Sequence, residues 1–161
     1  MKLEWLIVAD AAQIADGKLY LLGGGWTVLT VNTGFPVVKP LAVAVAFSVP
    51  WEETNQRQKV EIEIADEDGQ TLARLDGAVE VGRPPGIPHG QDQRVQVPLE
   101  ALLQFPRPGT YVVMVRIDGE EVGRTTFNVI PGPGLAHRPP PGQPPSGPPW
   151  PFGTPPPGLS D

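Results

Sequence analysis

The chain of 161 residues contains no cysteine. Disulfides, thiolate nucleophiles and cysteine-ligated zinc are excluded at once. Serine and histidine are nearly as scarce. Up to residue 130 the only serine is Ser48, inside a strand pattern, and the only histidine is His89, in a proline-rich loop. A nucleophilic triad needs nucleophile, base and orienting group within hydrogen-bond reach, and nothing in the sequence brings Ser48 and His89 together. With no second histidine or cysteine to share a metal, His89 reads as a solvated loop residue. Long apolar runs are missing too. Trp5 to Ala9 is bracketed by Glu4 and Asp10, too short for the core of a signal peptide or for the roughly 20 apolar residues of a membrane helix. The protein is therefore expected in the cytoplasm, with no membrane partner. Basic charge is also short. Residues 1–130 hold 17 acids and 11 bases, which is the whole net charge of −6. That argues against nucleic acid as a partner. The inventory points to a non-enzymatic protein with no cofactor, no metal and no catalytic residue, and the remaining alternative of that kind is an enzyme with a site the sequence does not display.

Proline is what the chain has in excess. Thirteen of its 22 prolines lie from Pro131 onward. This divides the chain into a domain, 1–130, and a Pro/Gly-rich tail, 131–161, that is expected to be disordered. The tail's glycines do not recur every third residue, so it is not collagen-like. Proline denies it helix and sheet and leaves polyproline II and coil, with a reach on the order of 100 Å when extended. Trp150 and Phe152 stand out there, because such segments are poor in aromatics. They read as a docking peptide for an aromatic groove, or as aromatics that touch the protein's own surface.

The domain is written in period two. Tyr111, Val113, Val115 and Ile117 share one face of a strand, and Val112, Met114, Arg116 and Asp118 the other. Asp118-Gly119 is a strong hairpin signal, and Thr125, Phe127 and Val129 line the return strand until Pro131 ends it. Gly109-Thr110-Tyr111 suits a tyrosine corner, in which the phenol bonds the backbone near the start of a strand. Leu41 to Val49 alternates cleanly, with Leu41, Val43, Val45, Phe47 and Val49 toward the core and Ala42, Ala44 and Ala46 away from it. Val60, Ile62 and Ile64 repeat the pattern, then Ala73, Leu75, Gly77 and Val79. Earlier, Leu3 to Ala12 reads as a strand buried on both faces, Ala15 to Lys18 as a turn and Lys18 to Leu22 as a strand. Gly23-Gly24-Gly25 then bends the chain between sheets; it lacks the Lys and Ser or Thr of a phosphate-binding loop. Asn32 to Pro40 reads as loop and Gly82 to Asp92 as a long loop. Gln93 to Pro98 reads as a strand, and Leu99 to Phe105 as a helical turn. About eight strands with regular turns and no long amphipathic helix predict an all-β immunoglobulin-like β-sandwich, with a barrel or jelly roll as runner-up.

The segments LYLLGGGW, VPWEETNQ, VEIEIADEDGQ, GRPPGI-P-GQDQRV and PGTYVV resemble a bacterial family filed only as a domain of unknown function. The likeness runs over residues 3–130. It implies a sandwich-like fold and supplies no catalytic residue.

Two surfaces carry the functional expectations. The acidic turn Asp66-Glu67-Asp68-Gly69 offers hard oxygen ligands for calcium, joined by Asp118, Glu120 and Glu121 if both turns share one end; otherwise acids beside glycine simply make turns. Val112 and Met114 form an apolar centre among charged neighbours, the anatomy of a modest interface. Trp51, alone in a polar loop, is a binding anchor or a lid over the core. The leading reading is a non-enzymatic binding or scaffolding module that meets a protein partner through Trp51, Val112, Met114, Trp150 and Phe152. A calcium-dependent domain is the alternative.

Overall fold

A computed structural model describes residues 1–133. They form ten strands and one short 3-10 turn, with no α-helical element. β1 (Lys2–Ala9), β2 (Ala11–Ala15), β3 (Lys18–Leu22), β4 (Val28–Val31) and β5 (Val37–Val49) precede the turn at Trp51–Glu53. β6 (Arg57–Asp66), β7 (Thr71–Glu80), β8 (Gln93–Phe105), β9 (Gly109–Ile117) and β10 (Glu120–Pro131) follow it. Two hairpin turns, Asp16-Gly17 and Asp118-Gly119, have positive φ at both central residues, with φ 50° and 70° in the first and 50° and 88° in the second. That is the backbone a two-residue hairpin needs to follow the twist of its strands, and Asp-Gly supplies it at low cost.

The strands make a three-stranded sheet of order β1-β5-β8, a five-stranded sheet of order β4-β10-β9-β6-β7, and the separate hairpin β2-β3. One core lies between the two larger sheets. Leu41, Val43, Val45 and Phe47 from β5, with Leu103 and Phe105 from β8, meet Ile62 and Ile64 of β6, Val113 and Val115 of β9, and Phe127 and Val129 of β10, all buried. The sheets approach each other along two seams, β7 beside β8 and β1 beside β10. The last hairpin supplies the centre of the five-stranded sheet, with β10 held on its far side by parallel β4. The glycine run carries the chain from β3 to β4, from the separate hairpin into the five-stranded sheet.

Several sequence expectations change. Leu99–Phe105 is strand, not a helical turn: β8 is continuous over 13 residues and pairs along its whole length with the 13 residues of β5. The leucines at 99, 102 and 103 mimic a helical stripe, yet Val97, Leu99, Ala101, Leu103 and Phe105 keep period two, and sheet pairing decides between the two patterns. β5 begins at Val37, so Pro40 lies inside a strand. The first strand breaks at Asp10 into β1 and β2. Leu75 is only half-buried, because β7 is the edge of its sheet. Ala42, Ala44 and Ala46 do point away from the main core, but they are fully buried. The β2-β3 hairpin folds over that face, and Ala12, Leu19 and Leu21 close against Ala42, Ala44 and Trp5 as a second small core. Small side chains on β5 let the hairpin backbone come close. The expected disordered tail, with Trp150 and Phe152, lies outside the described residues.

Candidate functional site

The corner at Tyr111 is present. Its phenol donates to the carbonyl of Arg107, four residues upstream, at 2.8 Å. The ring is buried against Phe105 and Phe127, and burial pushes the phenol pKa up. The same Arg107 turns toward the acidic turn, pairing with Asp66 at 3.4 Å and with Asp68. Asp66 is buried and its Oδ1 accepts the backbone N–H of Asp68 at 3.0 Å and of Gln70 at 2.8 Å. The Gln70 amide, then Arg107 and the Asp68 amide, hold its carboxyl below the ordinary range. This carboxylate is committed to building a turn. The other acidic turn does not join it. Asp66 lies level with Tyr111, whereas Asp118 exchanges hydrogen bonds with the backbone of Lys59 at 2.9 Å, at the far end of the strands. Among the described residues no group of three or more acidic or histidine side chains is placed to hold a metal ion. Arg107 was not singled out from the sequence; its place between Pro106 and Pro108, just ahead of the Tyr corner, was the available signal.

Trp51 is half-buried and engaged by its own neighbours. The Arg83 guanidinium lies 4.4 Å from the ring centre, and the His89 ring 4.9 Å. Arg83 also donates to Thr54 Oγ1 at 2.6 Å and to the Trp51 carbonyl at 3.1 Å. Trp51 thus ties the 82–92 loop to the β5–β6 connection, while the Ser48 hydroxyl bonds Asp92 at 3.5 Å.

On the outside of the five-stranded sheet, β6, β9 and β10 are adjacent as the topology of the sandwich reading requires. Val112 and Met114 are half-buried there. Arg116 bridges Glu61 and Glu63 and reaches the Met114 sulfur at 3.6 Å. Arg74 spans Glu61 and Asp76, and Arg124 pairs with Glu121 at 2.6 Å. Arg116, then the Thr71 hydroxyl, hold the Glu63 carboxyl below its ordinary range. The charges on this face satisfy one another and partly cover the apolar centre.

The outside of the three-stranded sheet is different. Leu102 is 75% exposed and Val38 56%; on the separate β2-β3 hairpin Leu22 and Tyr20 are exposed as well. Leu22 pairs with Ala11 across the open end of the β2-β3 hairpin, and Pro40 pairs with Leu102 across β5 and β8. A shallow cavity of about 290 Å³ lies beside Pro40 and Leu102, lined by Asp10, Ala11, Pro40, Leu41, Glu100, Ala101 and Leu102. The hairpin covers the alanine end of the sheet and stops short of this end. Glu100 accepts the Ala12 N–H at 2.8 Å, and Asp10 accepts the Trp26 indole N–H at 3.0 Å, so both acids brace the cavity's rim. Val28 and Ile130, on the other sheet, are the remaining exposed large apolar residues among those described. Sequence reading missed this surface, because a helical turn at Leu99–Phe105 hid that Leu102 stands on the outer face between Glu100 and Gln104.

A family model described as "Family of unknown function (DUF6941)" matches residues 4–130. No curated protein matches the chain. Among solved structures, one similar chain is the alkylpurine DNA glycosylase AlkC of Pseudomonas fluorescens, bound to DNA containing an abasic site analog. It is 16% identical with a TM-score of 0.38, over 64% of this chain and 27% of that one. Another is a glycosyl hydrolase family 2 member from Bacteroides cellulosilyticus DSM 14838, 16% identical with a TM-score of 0.36, over 58% of this chain and 13% of that one. The chain thus spans only a small part of either.

Proposed function

We propose that this chain, which belongs to the family of unknown function DUF6941 over residues 4–130, is a non-enzymatic protein-binding module: an immunoglobulin-like β-sandwich followed by a Pro-rich docking segment. The sandwich reading is supported by the tyrosine corner and by the order β6-β9-β10. The observation that carries the binding reading is the apolar surface of Val38, Pro40 and Leu102, adjacent outer positions on β5 and β8. Exposed single apolar residues are ordinary, but a contiguous patch with a polar rim around a shallow hollow is the form a partner-binding surface takes. The Val112–Met114 face has less support, since ion pairs already span it. A calcium-dependent domain has less support as well, because the acidic turns lie at opposite ends and Asp66 is engaged by amides and Arg107.

The test is chemical cross-linking in the source cells followed by co-purification, comparing the unaltered protein with Val38→Glu/Leu102→Glu and with Met114→Glu. Both side chains are exposed, so the double variant should melt close to the unaltered protein. It should lose the proteins that co-purify, while Met114→Glu keeps them. An unchanged set of co-purifying proteins in the double variant would sink the reading.

A further inference from the structure

The two larger sheets have four edge strands, and three of them are blunted. β4 is only four residues long. β1 is interrupted by a bulge between Leu3 and Trp5, and its Val8 carbonyl accepts the Gly25 N–H at 2.8 Å. β8 carries Pro98, which has no N–H to offer. From Ala73 to Glu80, β7 has none of these devices. It holds no proline and no break in register there, and among the described residues β6 is its one strand neighbour. β8 approaches it toward its two ends, where the Gln93 side chain donates to the Gly82 carbonyl at 2.9 Å and Leu72 and Gln104 share a hollow. Between those ends Arg74, Asp76, Gly77 and Ala78 are exposed.

The ladder fixes which backbone groups this edge offers. The Asp118 N–H donates to the Lys59 carbonyl at 2.9 Å, so the odd-numbered residues of β6 turn their backbone groups to β9 and the even-numbered ones to β7. Ile64, Ile62 and Val60 stand opposite Ala73, Leu75 and Gly77, whose N–H and C=O groups are thereby used. Those of Arg74, Asp76 and Ala78 point out of the sheet. Such a row is a template for another strand.

We propose that the edge takes β7 of a second copy of this chain, antiparallel about a two-fold axis at Leu75. Charge selects this occupant and its register. Arg74 then lies opposite Asp76 of the partner subunit, and Asp76 opposite the partner's Arg74, so two opposite-charge pairs form across the axis. Sliding the strands by two residues sets Arg74 against the partner's Arg74 in one direction and Asp76 against the partner's Asp76 in the other, and like charges directly opposite are disfavoured. On the core side Leu75 meets the partner's Leu75. It is half-buried in one copy and already packs on the main core, so the second strand completes its cover. Gly77 meets the partner's Ala73, and nothing lies within 4 Å of where a Gly77 Cβ would stand, which leaves room for that strand. A contact of this kind is isologous and closes at two copies. It joins the two five-stranded sheets into one. It uses neither Val38 nor Leu102, so it stands or falls apart from the binding surface assigned above.

Sedimentation of the full chain over a hundredfold range of concentration reads the assembly. The unaltered chain should reach a dimer. Asp76→Arg and Arg74→Asp each place like charges across the axis and should weaken the dimer by about tenfold or more, with the far-ultraviolet spectrum of the fold unchanged. Arg74→Asp/Asp76→Arg restores both cross-strand pairs with their signs exchanged and should recover the dimer, although the pairing of position 74 with Glu61 stays lost. Single cysteines in a chain that has none read the register. Leu75→Cys should give disulfide-linked dimers on mild oxidation, because facing residues outside the hydrogen-bonded pairs stand about 4.5 Å apart at Cα, within disulfide reach. Gly77→Cys should not, since its counterpart lies four residues away along the strand. A chain that stays monomeric throughout overturns the inference; if Asp76→Arg then loses a co-purifying protein, the edge belongs to another protein's strand. A dimer indifferent to the charge variants, or one that links through Gly77→Cys in place of Leu75→Cys, overturns it as well.

Discussion

Tyr111 fixes the crossover from one sheet to the other with a single hydrogen bond. Its hydroxyl is the buried end of an otherwise apolar ring, and the Arg107 carbonyl it meets lies in the middle of the loop between β8 and β9. A phenylalanine would keep the packing against Phe105 and Phe127 and leave that carbonyl without its donor. Tyr111→Phe should therefore cost about 1–2 kcal/mol in urea melts, with the near-ultraviolet signature of the core retained. A neutral result would mean that the carbonyl finds water and that the corner is packing alone. Placement of Tyr111 in the sequence suggests the corner. The bond itself depends on how the 106–108 loop folds back, which no local pattern specifies.

At the level of elements, β8 separates two readings of the same leucines. As a helical turn, Leu99, Leu102 and Leu103 would share a face. As a strand, Leu103 enters the core and Leu102 points out, and they are 2% and 75% exposed. Leu103→Ala should then cost about 2–5 kcal/mol through lost burial and a cavity. Leu102→Ala should stay within about 0.5 kcal/mol, as surface changes do. Similar losses at both positions would contradict the strand. The pattern was legible in Val95, Val97 and Leu99, but a short apolar run satisfies both periods. What settles it is a 13-residue partner, β5, whose backbone groups must be paired along their full length. The β2-β3 hairpin shows the same division. Its turn is legible in Asp16-Gly17, whereas its position across the alanines of β5 follows from the small side chains there and from Glu100 reaching the Ala12 amide.

Over the whole molecule, acid is the condition that acts on many groups together. Asp66, Glu63 and Glu121 each have a folded-state pKa below the ordinary carboxyl value, through the Gln70 amide, Arg116 and Arg124 respectively. A lowered pKa stabilises the fold above the unfolded value of about 4 and loses that contribution as pH falls through the folded one. Melting temperature should be level from pH 6 to 8 and decline below about pH 4. Asp66→Ala should be less stable at neutral pH and decline less steeply in acid. Curves that run parallel would show that Asp66 titrates normally. By itself the sequence determined the all-β class, the hairpin turns, the core-facing residues of β5, β6, β9 and β10, and, through the absence of cysteine, the exclusion of thiol chemistry. All of these follow from residue type and from alternation within one strand. Only the tertiary structure decided that the acidic turns lie apart, that Trp51 is taken by Arg83 and His89, and that Ala11 and Leu102, 91 positions apart in the chain, border one hollow. Those facts depend on which strands lie side by side, and pairing across a sheet joins residues whose separation in sequence carries no local signal.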